Sequence, residues 1–574
     1  MEVFGIASVF PFLAVLSNPE TIESNAYLAK AYNALGFNNT NSFLFFLSVV
    51  VFIFLVARTA SNAITQYAIM HYCQMRGYSL STRLLNVYLH RPYSWFLNRH
   101  TAELQKNVLS EVGEVVGGML LPAMRLLSQL LVAALVIALV FIVEPFTSLI
   151  AAAVIGGSYL LVYIGLRQYL LRIGEDKVLA NRERFQNLRE AMGGIKAVKV
   201  MGMEDAYAKR FQKPAGRFAR NVVKSFLVGL LPRHVLELIL FGGMLLLIMW
   251  LLASQDDGID AIIPMLGLYA LAGYRLLPAL QQVFQSLTKL RFSKPALDHV
   301  YEDMMLSNSH RVLPVAPALA TPLKLRASLE LVDVKFTYPQ AERPALQNVT
   351  LTISANTTVG VVGGTGAGKS TFVDLILGLL QPQSGKLCVD GVAVTSANVR
   401  AWQRSIGYVP QSIFLSDETV AGNIAFGIAE PAIDMGAVER AAKIANLDAF
   451  VTSELPNGYL TMVGEGGIRL SGGQCQRIGI ARALYHDPDV LIFDEATSAL
   501  DNLTERAVMD AIHRLGHRKT IILIAHRLTT VEECDRILLF ENGKLSASGT
   551  YDQLLSCSDG FREMATRPRE PCPA

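Results

Sequence analysis

Charge is scarce in this sequence. Asp, Glu, Lys and Arg make up 17% of its 574 residues, and the net charge is only +3. So small an excess gives no argument for a nucleic-acid surface. Cysteine is sparse as well. Cys73, Cys388, Cys475, Cys534, Cys557 and Cys572 lie far apart, with no CxxC and no metal-ligand spacing, so neither a disulfide framework nor a zinc site is indicated. There is no internal repeat and no low-complexity tract. Met1 to Leu16 is apolar but lacks the charged n-region and cleavage site of a signal peptide. Hydrophobic residues, by contrast, reach 52%, and the mean hydropathy of +0.35 is high for a soluble protein. The length exceeds what one core accommodates, so two or more domains are expected.

The apolar residues lie in the first half. Met1 to Leu16 is too short for a span of about 20 residues and reads as the second half of a first membrane helix. Thr21 to Phe37, with Tyr27, Leu28, Ala31, Tyr32 and Leu35 at helical spacing, reads as a small amphipathic helix. Ser42 to Ala57 is apolar, and its helical pattern runs on without strong breakers to about Leu89. At 1.5 Å per residue that is roughly 70 Å, twice the ~30 Å hydrocarbon core. Spans are expected at Met119–Val143, Phe146–Leu166, Phe226–Leu252 and Ile259–Leu280, with tight connections at Glu144-Pro145 and Gln255-Asp256-Asp257-Gly258. Counting the first, this makes six. Arg172, Lys177, Arg182, Arg184, Arg189, Lys196 and Lys199 mark the cytoplasmic side by the positive-inside rule.

Two motifs in the second half carry chemistry. Gly363-Gly364-Thr365-Gly366-Ala367-Gly368-Lys369-Ser370 fits the full G-x-x-x-x-G-K-[ST] pattern. The strand Thr358–Val362 precedes it, and a helix starting near Ser370 with Thr371 follows. Backbone N–H groups of such a loop cradle phosphates, Lys369 reaches the β and γ oxygens, and the Ser370 hydroxyl ligates Mg²⁺. Further on, Leu470-Ser471-Gly472-Gly473-Gln474 leads into a helix, and the apolar strand Val490–Phe493 ends in Asp494 and Glu495. A glycine-rich turn at a helix N-terminus suits phosphate, and carboxylates at the end of an apolar strand suit Mg²⁺ and a polarised water.

These residues resemble the ATP-binding cassette family, whose distinguishing signature is LSGGQ. The likeness runs from about Leu329 onward. It implies further roles: Tyr338 stacking on adenine, Gln411 in the Q-loop, Glu465 in the loop ahead of the signature, Asp501 closing the SALD segment, and His526 as the switch histidine. It also implies Glu495 as general base, Asp494 on Mg²⁺ through its water shell, Gln411 sensing that ion, and His526 on the γ-phosphate. Ser471 and Gly473 are implied to donate in trans, so that two subunits clamp two ATP molecules as a homodimer. The membrane half resembles the exporter type. Arg91–Leu97 looks like a first coupling helix, and Met203–Tyr207 is expected to be the second. The expected architecture is therefore an all-α transmembrane domain of six long helices (1–306), a linker (307–327), an α/β P-loop nucleotide-binding domain (328–566) and a flexible tail (567–574). The implied cofactors are ATP and Mg²⁺, with the ATP-binding domain in the cytoplasm of a bacterium and the helices in its inner membrane.

Three arginines fall in or beside the apolar runs: Arg58 in FIFLVAR, Arg233 after a Pro in GLLPRHV, and Arg275 in AGYRLLP. A charge at membrane depth costs about 3 kcal/mol unless it meets water, a partner or an anion. Snorkelling, pairing of Arg233 with Glu237, or a place in the cytosolic extension are the plain alternatives. All three suit a pyrophosphate, and the whole chain resembles the lipid-linked oligosaccharide flippase of bacterial N-glycosylation. An anionic glycolipid cargo follows from that resemblance; a multidrug or lipid exporter of the same architecture is the alternative. Cys475, where the family usually has a long polar residue, sits in the first turn of the signature helix. There the helix dipole is expected to make it reactive, against the alternative of an inert packed thiol.

Overall fold

The computed structural model describes residues 12, 15–16, 22, 26–37, 39–97, 99–143, 145–254, 263–309, 321–339, 341–495, 509–511, 518–525 and 527–566. Within these, the side chains of most of 143–159 and 231–275 lie outside the description. The chain forms two compact units, one of residues 1–90 and 98–311, the other of 91–97 and 312–574.

The first unit is helical. A short helix α1 (Ala26–Ala34) precedes α2 (Thr40–Leu89), an unbroken helix of 50 residues capped by Asn39, whose side chain accepts from the Asn41 N–H. Nothing between Ser42 and Leu89 interrupts the backbone ladder, so the apolar run and the polar run after it share one rod, about 75 Å long. Helix α4 runs from Thr101 to Val143 with two π turns, Asn107–Glu111 and Val116–Leu120. Helices α5 (Pro145–Gly193), α7 (Glu204–Ser254) and α8 (Ile263–Ser309) follow, with the short α6 (Ile195–Val200) between α5 and α7. Among the described residues, Thr40–Leu89 and Thr101–Ala138 are long and apolar enough to cross a membrane. Most of Met1–Leu16, where the first membrane helix is expected, and the Gln255–Gly258 connection lie outside the described residues.

Small residues set the approach of these helices. A Cβ on Gly77 of α2 would stand 3.0 Å from Val116 Cγ2, and one on Gly174 of α5 would stand 2.2 Å from the Phe292 carbonyl oxygen of α8. Polar side chains then join the helices where they run past the apolar stretch. Lys177 Nζ lies 2.6 Å from Glu114, to which Ser293 Oγ also donates at 2.5 Å, and Lys106 pairs with Glu111 at 3.3 Å. One expectation shifts. Met203–Tyr207 is not a separate segment: Glu204 opens α7, and the reversal of the chain is made by α6 and the turn Met201–Gly202. The acids Glu204 and Asp205 in the first turn favour a helix start there.

The second unit holds two sheets. The antiparallel one has the order β2-β1-β4-β5, built of Ser328–Phe336 (β1), Leu346–Ser354 (β2), Ser384–Val389 (β4) and Val392–Ala393 (β5). The other has the order β10-β9-β3-β8-β7-β6. Its strands are Thr358–Val362 (β3), Ile406–Val409 (β6), Val490–Asp494 (β7), Thr520–Ile524 (β8), Arg536–Glu541 (β9) and Lys544–Gly549 (β10). All neighbours in it are parallel except β10 against β9. Its central strands are buried on both faces, which explains their unbroken Val/Ile/Leu runs. Residues 91–97 pack with this unit and contain the helix α3 (Tyr93–Phe96). Burial, then the charges of Asp374 and Tyr338, push the Tyr93 phenol up.

Candidate functional site

The site lies at the carboxyl ends of β3 and β7, where open parallel sheets bind ligands. The turn after β3 is built of glycines for steric reasons. Gly363 has φ +150°, and a Cβ there would come 2.3 Å from the Phe540 carbonyl oxygen. Gly368 has φ +102°, and its Cβ would come 2.7 Å from Ala345 O. The loop thus folds back on the strand ends and opens into α9 (Lys369–Ile376), whose first N–H groups point into the turn. Lys369 is 7% exposed, and its ammonium donates to the carbonyls of Gly363 at 2.6 Å and Gly364 at 3.2 Å. Burial lowers its pKa, while Glu495 and Asp494 act to raise it. Ser370 is exposed beside it, and Thr371 is buried and shares a hydrogen bond of 3.1 Å with the Tyr338 hydroxyl. Tyr338 itself packs edge-on to Phe336 with centroids 5.1 Å apart.

Two strands away, Asp494 ends β7 in register with Ile524, and the Glu495 N–H donates to the Ile524 carbonyl at 3.2 Å. Glu495 takes φ +51°, a strained value for a residue with a Cβ. Gln411 Nε2 donates to Glu495 Oε2 at 2.7 Å, so the Q-loop and the carboxylate turn meet directly. The signature forms helix α10 (Gly472–Leu484). Ser471 is its N-cap, and a capping box is complete: Gln474 N–H donates to Ser471 Oγ at 3.3 Å, and Ser471 N–H donates to Gln474 Oε1 at 2.8 Å.

The structure therefore brings together Lys369, Gln411, Asp494 and Glu495, with Ser370, Thr371 and Tyr338 along the same edge. Asp501 and His526 lie outside the described residues, as do the side chains of Glu465, Arg233 and Arg275.

Two residues of the site were missed by the motifs. Tyr408 donates to Asp494 Oδ2 at 3.4 Å. Asp374, five residues after Lys369 on α9, is pushed up to about 6 by burial and then by the Asp494 carboxylate. Its position on the P-loop helix is the only sequence signal it had.

Cys475 needs correcting. Burial, ahead of the helix amide, raises its thiol pKa. Its Sγ points at the Gly467 carbonyl, 3.9 Å away, and packs on the apolar core. Desolvation outweighs the dipole at this helix start, and the thiol is a packing group.

Comparison with known proteins matches residues 346–498 to the ABC transporter family model and residues 9–254 to the ABC transporter transmembrane region. An ATP-dependent lipid A-core flippase of Cupriavidus pinatubonensis is 32% identical over 82% of this chain and 78% of its own length. This chain belongs to the ABC transporter family. It is also similar to the chloroplastic ABC transporter B family member 29 of Arabidopsis thaliana, 34% identical over 70% of the chain but only 63% of that protein. Its fold matches a bacterial Atm1-family ABC exporter solved with ATP bound, with a TM-score of 0.80 across 100% of this chain and 98% of that one, at 23% identity. The chain is thus an exporter-type half-transporter: a membrane-spanning helical unit fused to a cytoplasmic ATPase that couples hydrolysis to transport. Half-transporters of this family typically dimerise in the bilayer.

Proposed function

We propose that the chain is one half of a homodimeric flippase that carries a polyprenyl-pyrophosphate-linked oligosaccharide across the bacterial inner membrane. The observation that supports this cargo is one face of α2. Arg58, Asn62, Thr65, Tyr72 and Arg76 recur at four-, three-, seven- and four-residue steps, which keeps them on one side of the helix. Four of them are exposed and Arg58 is half-buried, and the Arg76 guanidinium lies over the Tyr72 ring at 5.2 Å. A guanidinium fork binds two phosphate oxygens at once, which suits a diphosphate carried up such a face. Arg233 and Arg275 complete the set. Relatives named as lipid A-core flippases agree with a lipid cargo.

At the ATP site, the Ser370 hydroxyl, the Asp494 carboxylate and the Gln411 amide offer the hard oxygen donors that Mg²⁺ takes. Bound there, Mg²⁺ neutralises charge on the β and γ oxygens. Lys369 and the backbone of Gly363–Ser370 hold the phosphates. Glu495, oriented by Gln411, takes the proton of the attacking water. Asp501 and His526 complete the site, and Ser471 and Gly473 of the second copy close it. Cassette closure on ATP and reopening after hydrolysis drive the membrane helices.

The test is flipping in proteoliposomes with ATPase followed in parallel. Arg58→Ala, Arg233→Ala and Arg275→Ala are each expected to lower flipping of a polyprenyl-pyrophosphate saccharide by about tenfold with basal hydrolysis intact, and Lys to restore it only in part. Normal flipping in all three variants would overturn the cargo. Transport of uncharged drugs in its place would establish the multidrug reading.

A further inference from the structure

Asp303 lies in the last two turns of α8 and is buried. Its carboxylate is a meeting point. Tyr88 Oη donates to Oδ2 at 2.5 Å, and Asn107 Nδ2 donates to the same oxygen at 2.8 Å. Arg99 Nη1 donates to Oδ1 at 3.1 Å. Asn107 Nδ2 also reaches Tyr88 Oη at 3.4 Å, which closes the set. Tyr88 and Asn107 are themselves buried.

Chain order gives the arrangement its interest. Tyr88 is the last residue but one of α2, and Arg99 and Asn107 stand just before and within the first turns of α4. Between them lie Arg91–Leu97, the seven residues that pack with the ATPase. Both ends of that excursion are therefore fastened to one carboxylate, carried by α8. Asn107 also opens a π turn, a local widening of the kind found at functional positions. A buried carboxylate needs donors in any protein. Holding three helices together needs no ion, however, because apolar side chains of like volume do so at least as well. What the charge adds is direction: one acceptor fixes three donors at set angles, and removing it releases all of them together.

We propose that Asp303 is the positioning residue that ties the α3 segment to α2, α4 and α8, so that movement of the ATPase at Arg91–Leu97 is passed to the membrane helices as one body. The role assigned to Asp303 is positional, and the proposal does not depend on which cargo is carried.

The test separates closure of the ATPase from movement of the membrane helices. Full-length protein, with its native cysteines replaced, is reconstituted in phosphatidylethanolamine–phosphatidylglycerol liposomes and spin-labelled at Asn41→Cys or at Glu454→Cys. Distances between the two copies are measured with and without ATP and vanadate. In the unsubstituted protein both distances shift. In Asp303→Ala the Glu454 distance is expected to shift fully and the Asn41 shift to fall about fivefold or more, with ATPase within about threefold. Asp303→Glu, which keeps the carboxylate, should recover part of the Asn41 shift. Tyr88→Phe should add little to Asp303→Asn, because both act on one network. Asp303→Asn, nearly isosteric, carries the test where the Ala variant does not fold. The proposal is overturned if the Asn41 distance still follows the Glu454 distance in these variants. It is equally overturned if both shifts fall in proportion to the loss of folded protein, since that is what a purely structural residue would do.

Discussion

Gln411 Nε2 stands 2.7 Å from Glu495 Oε2, and that hydrogen bond joins the loop after β6 to the carboxylate after β7. A carboxylate held by a neutral amide loses its freedom to swing. The same amide belongs to the segment that the ABC family places between nucleotide and membrane helices. In the proposed mechanism, orientation of the base and sensing of the nucleotide would share this one side chain.

The first prediction concerns this pair. Glu495→Gln should bind ATP and lose hydrolysis by about 10²-fold or more, as expected for removal of a positioned base. Gln411→Ala leaves the base in place without its tether, and its loss should be smaller. ATPase rates and nucleotide affinity of the two variants, measured side by side, decide this. A larger loss in the Gln411 variant would reverse the order of the roles.

Gly368→Ala tests the steric account of the phosphate loop. The residue has φ +102° and no room for a Cβ beside Ala345 O. Strain of this kind costs about 1–3 kcal/mol, so the variant should bind ATP at least tenfold more weakly and unfold at lower temperature. Unchanged affinity would show that the loop shifts freely.

Asp374 should make stability depend on pH. Its folded pKa of about 6 lies above the ordinary value of 3.8, so the fold favours the protonated acid. The contribution is fully present below the unfolded value and is lost as pH rises through about 6. Asp374→Asn should therefore raise the apparent unfolding temperature of nucleotide-free protein at pH 7.5, and clearly less at pH 5, which lies inside the window where the contribution is being lost. An equal effect at both values would detach the acid from this linkage.

Cys475 should react slowly. At pH 7.5, site-resolved mass spectrometry after brief alkylation should find Cys557, which is exposed, labelled well before Cys475, whose thiol is partly buried with a raised pKa. Faster labelling at Cys475 would restore the reactive thiol expected from its place in the helix.

How much of this the sequence reveals depends on how local each feature is. The phosphate loop is legible because its requirements fall on consecutive residues, Gly363 to Ser370. The 50 residues of α2 are legible because no breaker interrupts them. Gln411 and Glu495 could be assigned roles by resemblance, but their hydrogen bond spans 84 residues and needs the parallel pairing of β6 with β7. Tyr408 and Asp374 carry no motif; only the stacking of β6, β7 and α9 makes them neighbours of Asp494. Cys475 shows the opposite failure. The dipole argument is local and sound in kind, but the apolar neighbours that outweigh it come from elsewhere in the chain. Asp303 is the extreme case, since Tyr88 lies 215 residues before it.

The capping box at Ser471 also leaves the hydroxyl hydrogen unused. The hydroxyl oxygen already receives the Gln474 N–H, and a hydroxyl has a single hydrogen to give. Accepting that bond does not use the hydrogen, so the group can still meet an incoming anion as a donor. Binding of phosphate in the proposed composite site would leave the cap intact, and release would cost the helix nothing. Asp would cap the helix as well as Ser does, yet it would present charge of the wrong sign. In the proposed composite site, the atom that keeps its own helix wound would also act as a polarity filter for whatever the second copy delivers.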